Sequence, residues 1–166
     1  MELGFSAKRD FFDCNKWHSK CDNKGKTLVI IKTKDNFIFG GFTQVGWTTD
    51  RSKWKEEEVN NPWGYIIDPK SFIFSLRNDK NDRKSEKFKI KSAQTMHSIF
   101  YYSEGGPSFG RGLDICIRSN LKDSYSNFGY SYHLPHGVEY NTKEAKSYLA
   151  GSYNHWVVDE LETYFI

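Results

Sequence analysis

The sequence predicts a mainly β fold (α+β minor): a two-sheet antiparallel β-sandwich with an N-terminal helix and short flanking helices. Three observations carry this. About seven or eight short runs rich in β-branched and aromatic residues recur along the chain, with turn signals every ten or so residues. Aromatics form 17% of the chain, with 13 Phe, 10 Tyr and 5 Trp, an excess suited to half-buried pleated surfaces. Helical periodicity is concentrated near the N-terminus. The 166 residues allow one domain with a sizeable core, so residues 1–166 are expected to form a single unit.

From Ser6 to Cys21, the residues Phe11, Phe12, Cys14, Trp17, His18 and Cys21 recur at three- and four-residue steps. That spacing predicts one helix, with Ser6 as its N-cap. "DNKG", Asp22 to Gly25, gives a stop with Gly25 free to take φ > 0. "KTLVIIKT", the turn "KDN" and "FIFGGFT" predict a β-hairpin over 26–43. Gly40 and Gly41 inside a strand imply a bulge or a group packed close against the backbone.

Gly46 to Pro69 follows neither period and is expected to be a long ordered loop. "SFIFSL", "EKFKIK" and "HSIFYYS" read as further strands. "GGPSFGRG" reads as a turn and bulge leading into a strand from Leu113 to Ser119. "EAKSYLAGSY" fits a short helix or an edge strand. In the closing "NHWVVDELETYFI", alternation puts Val157, Leu161 and Phe165 on one face. Trp156, Val158, Glu160, Glu162 and Tyr164 fall on the other. No stretch repeats at a fixed period.

The net charge of +3, from 24 basic and 21 acidic side chains, is too mild for a dedicated nucleic-acid binder. The densest run, Arg77 to Lys91, interleaves both signs, as a solvated segment does. No apolar run reaches the ~18 residues that cross a bilayer, and the N-terminus lacks the order of a signal peptide. The 3 cysteines form no CxxC pair, and no N-x-S/T sequon occurs. Together these predict a reduced, cytoplasmic setting.

The segment holding His18, Cys21 and Asp22 raises the question of catalysis. On a helix His18 and Cys21 are i,i+3 neighbours, and an imidazolium beside a thiol is the minimum for an activated thiolate. The same face also carries Phe11, Cys14 and Trp17, and a face of that kind packs against a sheet. The packed-helix reading therefore outweighs the catalytic one, with Asp22 capping a turn or bonding backbone N–H groups. Zinc would need further ligands, yet His97, His133, His136 and His155 are scattered singly; neither metal nor cofactor is expected. "GGPSFGRG" lacks the spacing of a phosphate cradle and precedes a strand. Its functional reading is a flat, side-chain-poor surface for a partner's backbone, formed by Gly105, Gly106, Gly110 and Gly112 with Arg111 projecting. Glu56, Glu57 and Glu58 read as solvated loop carboxylates. Asp159, Glu160 and Glu162 could suggest acid–base work, and an inward-pointing Glu162 paired with a buried polar group is the case of interest.

The order of these motifs, "GFS", "HSKCDNKGKTLVIIK", "FIFGGFT", Trp47, "DPKSFIFSL", "GPSFGRGLDICI", "YSNFGYSY", "AKSYLAGSYN" and "VDELETYF", resembles that of a TLDc domain, closest in wording to protist members. The resemblance runs from about Gly4 to Ile166, essentially the whole chain. The chain departs from the pattern at Trp17, where the family usually has Phe, and in the longer segment "KRDFFDCNKW", which implies a first helix extended by about two turns.

The resemblance implies two antiparallel sheets with helices alongside, a role in oxidative-stress resistance, binding to the vacuolar-type proton ATPase, and no agreed catalytic reaction. By motif position it puts the partner contact at Gly105, Gly106, Gly110 and Gly112. The expectation is thus a non-catalytic interaction module. The alternatives are a thiol-based redox enzyme or sensor using Cys21 with His18, and a generic adaptor inside a longer polypeptide.

Overall fold

A computed structural model describes residues 1–50, 52, 63–78 and 84–166. Its founding unit is the hairpin of β2 (Thr27–Thr33) and β3 (Ile38–Thr43), paired antiparallel from Thr27↔Thr43 to Lys32↔Ile38. Asn36 takes φ 65° in the tight turn between them. Strict alternation in β2 buries Thr27, Val29, Ile31 and Thr33 and half-exposes the residues between. Strands β5 (Phe72–Arg77) and β6 (Glu86–Lys89) extend the sheet on one side. β12 (Val158–Phe165) and β1 (Glu2–Ser6) extend it on the other, giving the order β1-β12-β2-β3-β5-β6.

The second sheet has the order β11-β10-β9-β8-β7-β4. Its strands are β4 (Tyr65–Ile66), β7 (Ile99–Phe100), β8 (Gly105–Phe109), β9 (Ile115–Arg118), β10 (Ser124–Tyr125) and β11 (His155–Trp156). The predicted sandwich is therefore present, with twelve strands among the described residues. The extra strands are mostly two-residue pairings, too short for periodicity to register.

The sheets meet where glycine permits it. A Cβ on Gly41 would lie 2.5 Å from the Phe109 ring of the second sheet, and a Cβ on Gly40 would overlap the Val29 carbonyl. Close packing, one of the two expectations for this pair, is what the structure gives. Trp47, fully buried, stands edge-on to Phe109 and Trp17, each at 5.5 Å between ring centroids. Trp47 Nε1 donates to Thr27 Oγ1 at 2.8 Å, and Trp17 Nε1 to Thr163 Oγ1 at 3.0 Å. Two buried threonines thus satisfy the two indole N–H groups, which would otherwise cost about 1–3 kcal/mol each.

Four expectations are corrected. The single helix over 6–21 is instead β1, α1 (Ala7–Asp10) and α2 (Cys14–Cys21). Ser6 does cap, its Oγ accepting from Arg9 N at 3.2 Å. Phe11 then takes φ 56°, and Asp13 restarts the helix by accepting from Lys16 N at 3.2 Å. The inserted segment makes a second cap rather than a longer helix. "HSIFYYS" gives only β7, with His97 ending a 3-10 helix (Ser92–His97) on one side and a turn opening at Ser103 on the other. In the last strand the register shifts between Val158 and Glu160, so Val158 and Leu161 are both buried. A bulge of this kind resets the phase that strict alternation assumes. Fourth, the glycine-rich strip is itself a strand, β8, with its bulge inside it between Gly105 and Ser108.

The segment "EAKSYLAGSY" resolves as helix α3 (Lys143–Ser147), capped by Thr142 Oγ1 accepting from Ala145 N at 3.1 Å. Glu56, Glu57 and Glu58, and the middle of the Arg77–Lys91 run, lie outside the described residues.

Candidate functional site

Helix α2 packs against β8, and His18 makes the junction. Its Nδ1 lies 2.9 Å from Asp22 Oδ1, while its Nε2 lies 3.0 Å from the Tyr102 carbonyl and 3.1 Å from that of Gly105. The imidazole is thus ringed by acceptors and fixed on both sides. Asp22 has a second duty, its Oδ2 accepting from Thr49 N at 3.2 Å. It joins the end of α2 to the strand-like segment at Trp47 and to Thr49 beyond it, so of its two expected roles it bonds a backbone N–H rather than capping a turn.

Cys21 leaves the same helix toward the core. It is fully buried, and burial pushes its thiol up to about 12, only partly opposed by a hydrogen bond with Thr163. A nucleophilic thiolate needs the opposite shift and an approach for substrate. His18 thus serves a loop of the second sheet while Cys21 packs against the first. Cys116 is also buried and pushed up by burial, and Cys14 is half-buried.

The glycine strip serves packing. All of Gly105–Phe109 is buried. A Cβ on Gly105 would lie 2.5 Å from the Tyr102 ring and 2.7 Å from the Ile117 carbonyl, and one on Gly106 2.8 Å from Ile117 Cγ2. Gly110, also buried, takes φ 82°, and a Cβ there would run into the Asp114 carboxylate. Gly112 is half-buried against Tyr130. The expected flat surface is therefore corrected: Gly105, Gly106 and Gly110 face the protein interior, and of the five residues only Arg111 is exposed.

Arg111 sits on the turn between β8 and β9, and the turn is held from both ends. Its N–H donates to Ser131 Oγ at 2.8 Å, and its carbonyl accepts from the Tyr65 hydroxyl at 3.0 Å. Beneath it Asp114, with no exposed surface, accepts from the N–H groups of Gly129 at 2.8 Å, Ser131 at 3.0 Å and Tyr132 at 3.2 Å. Burial raises the Asp114 carboxyl to about 6, and those three N–H groups oppose the shift. Around the turn stand Tyr65, Tyr130 and Tyr140, the last two edge-on at 5.7 Å. Burial lowers His97, and the charge of Arg111 lowers it further.

The result is one cation on a rigid turn among tyrosines, the side chains favoured at protein interfaces. Sequence reasoning reached Arg111 but missed Tyr65, Tyr130 and Tyr140. Tyr65 is far from the other two in sequence, and the Tyr65 bond to Arg111, the Gly112–Tyr130 approach and the Tyr130–Tyr140 ring contact bring the three to the turn.

Among the described residues no three His, Cys, Asp or Glu side chains cluster as a metal site. His133 and His136 are exposed, and His155 Nδ1 lies 3.1 Å from the Asp123 carbonyl. The terminal carboxylates work in the framework. Glu160 Oε1 accepts from Ser6 Oγ, Lys8 N and its neighbour Leu161 N, at 3.1–3.3 Å. Half-buried Glu162 accepts from the Tyr164 hydroxyl at 2.8 Å. Lys8 and Lys34 hold the Asp159 carboxyl down at about 2. No described helix is long and apolar enough to cross a membrane.

A family model for the TLDc domain matches residues 1–165. No curated protein matches the chain.

Proposed function

Because the chain belongs to the TLDc family, we propose that it is a non-catalytic interaction module acting in the cytoplasm in oxidative-stress resistance, and that it binds and regulates the vacuolar-type proton ATPase. The observation that carries this reading is the Arg111 turn. A buried carboxylate with three backbone donors locks it, so Arg111 is presented without the ordering cost of a loose loop. Tyr65, Tyr130 and Tyr140 supply rigid aromatic area beside the charge. Burial of the Cys21 thiol speaks against the thiol-based alternative.

Pull-down of the intact protein from cell lysate, read for ATPase subunits, tests the proposal. Arg111→Glu is the surface variant to compare, because substitution at Gly110 would strike the Asp114 carboxylate and disturb folding instead. Enrichment with the native chain and its loss in Arg111→Glu is the expected result. No enrichment with either chain removes the partner.

A further inference from the structure

The outer face of the first sheet carries a cleft of about 460 Å³ on the side away from the Phe109 core. The registers Phe42↔Phe72 and Phe72↔Lys89 run across three neighbouring strands, with Phe74↔Lys87 one row along. Phe42 and Phe72 therefore form the floor, stacked at 5.1 Å with their planes 23° apart, and both remain half-exposed. Lys87 and Lys89 project from the same face of edge strand β6, and Lys70 arrives from the turn before β5. The Lys87 ammonium stands 3.8 Å from the centroid of the Phe72 ring.

Two properties set the cleft apart from an ordinary solvated sheet face. No Asp or Glu is among the described residues that line it. None of its three lysines is in an ion pair among the described residues. By contrast, Lys8, Lys32 and Lys34 gather on one carboxylate, Asp159. The volume falls within the ~300–1,000 Å³ of small-molecule sites, and an apolar floor with few polar groups is their usual lining.

The chemistry of the lining selects the ligand. A neutral hydrophobe would cover the two rings and leave three ammonium groups facing it. A bare inorganic anion would meet the lysines and leave the rings wet. Lysine offers point charges without a planar fork, which suits phosphate or carboxylate equally. We propose that this cleft binds a small soluble organic anion, an aromatic ring bearing phosphate or carboxylate, with the ring on Phe42 and Phe72 and the anionic group among Lys70, Lys87 and Lys89. The site is independent of the Arg111 surface and stands or falls without it.

Titration of the whole chain with 1-naphthyl phosphate and with AMP, followed by amide chemical shifts and calorimetry, tests the site. The expected result is saturable binding that maps to β5 and β6 and weakens several-fold in about 0.5 M salt. The variant Lys87→Glu with Lys89→Glu should lose about tenfold or more in affinity, and 1-naphthol and inorganic phosphate should each bind about tenfold more weakly than the joined molecule. Both lysines are exposed, so the variant is expected to fold, with circular dichroism as the check. If it does not, Lys87→Gln with Lys89→Gln must show the loss.

Shifts that map elsewhere, unchanged affinity in the folded variant, or inorganic phosphate binding as well as the aromatic phosphate would overturn the site. Vesicles of phosphatidylserine and phosphatidylcholine provide a further arm. Lysine-dependent vesicle binding without binding of the soluble probes would assign the face to a lipid surface and refute the proposal.

Discussion

His18 Nε2 lies 3.1 Å from the carbonyl oxygen of Gly105, 87 positions further along the chain. That contact joins the two stretches that look most like active chemistry, the His–Cys–Asp segment and the glycine strip, and gives both a structural purpose. The imidazole donates toward the Tyr102 and Gly105 carbonyls and so ties α2 to that loop. His18→Phe fills similar space but has no donor. It should cost about 1–3 kcal/mol of unfolding free energy, read from urea denaturation, with Cys21 still reacting no faster than the variant unfolds. Stability equal to the native chain would show that these carbonyls find other partners.

Gly41 sets the spacing between the sheets. Gly41→Ala puts a methyl carbon 2.5 Å from the Phe109 ring in an otherwise filled core, and overpacking of that kind costs about 1–3 kcal/mol. Gly137, with φ 83° and nothing within 4 Å of an added Cβ, is the comparison. Its Ala variant bears backbone strain alone, about 1–2 kcal/mol. Thermal unfolding of the two variants compares the inter-sheet clash with that strain. Were Gly41→Ala as stable as the native protein, Phe109 would have room to move aside and the sheets would not be locked there.

Asp114 should give the stability profile a falling limb in weak acid. Its folded carboxyl titrates at about 6, above the ~3.9 of an unfolded aspartate. Between these values the native chain holds more protons than the unfolded one, so this group's contribution to stability falls as pH rises from about 4 to about 6 and is level above that. Asp114→Asn removes the titration and also loses acceptor capacity toward the backbone of 129–132, a cost of about 1–3 kcal/mol. The native-minus-variant stability difference should therefore shrink across that pH window. A difference that grows with pH would mean the N–H donors outweigh burial and lower the carboxyl.

How much of this was legible in the sequence follows from what each signal reports. Alternation in "TLVIIKT" and the turn at Asn36 place the β2–β3 hairpin within a residue or so, because both are local. The break at Phe11 was not visible, since the apolar spacing of Phe11, Cys14, Trp17 and Cys21 continues across it. Only the capping chemistry of Asp13 marks it, and Asp13 also fits a helix interior by spacing. The bulge near Asp159 escaped for a related reason. Alternation counts residues, while a bulge adds one.

The candidate sites divide in the same way. Glycine composition told that something comes close to the backbone at 105–112 but not which side it comes from. The answer is the protein's own Tyr102, Ile117, Asp114 and Tyr130. Burial of Asp114 is a long-range property, and "GLDICI" carries no local sign that its carboxylate is turned inward.

The most direct test of a packing role for the family signature is thiol reactivity in the folded protein at neutral pH, with each cysteine followed separately. Half-buried Cys14 should react first, while Cys21 and Cys116 react only at the rate of unfolding and become equal to Cys14 in denaturant. Rapid modification of Cys21 in the native state, abolished by His18→Phe, would contradict the account and restore the His18–Cys21 pair as a working nucleophile.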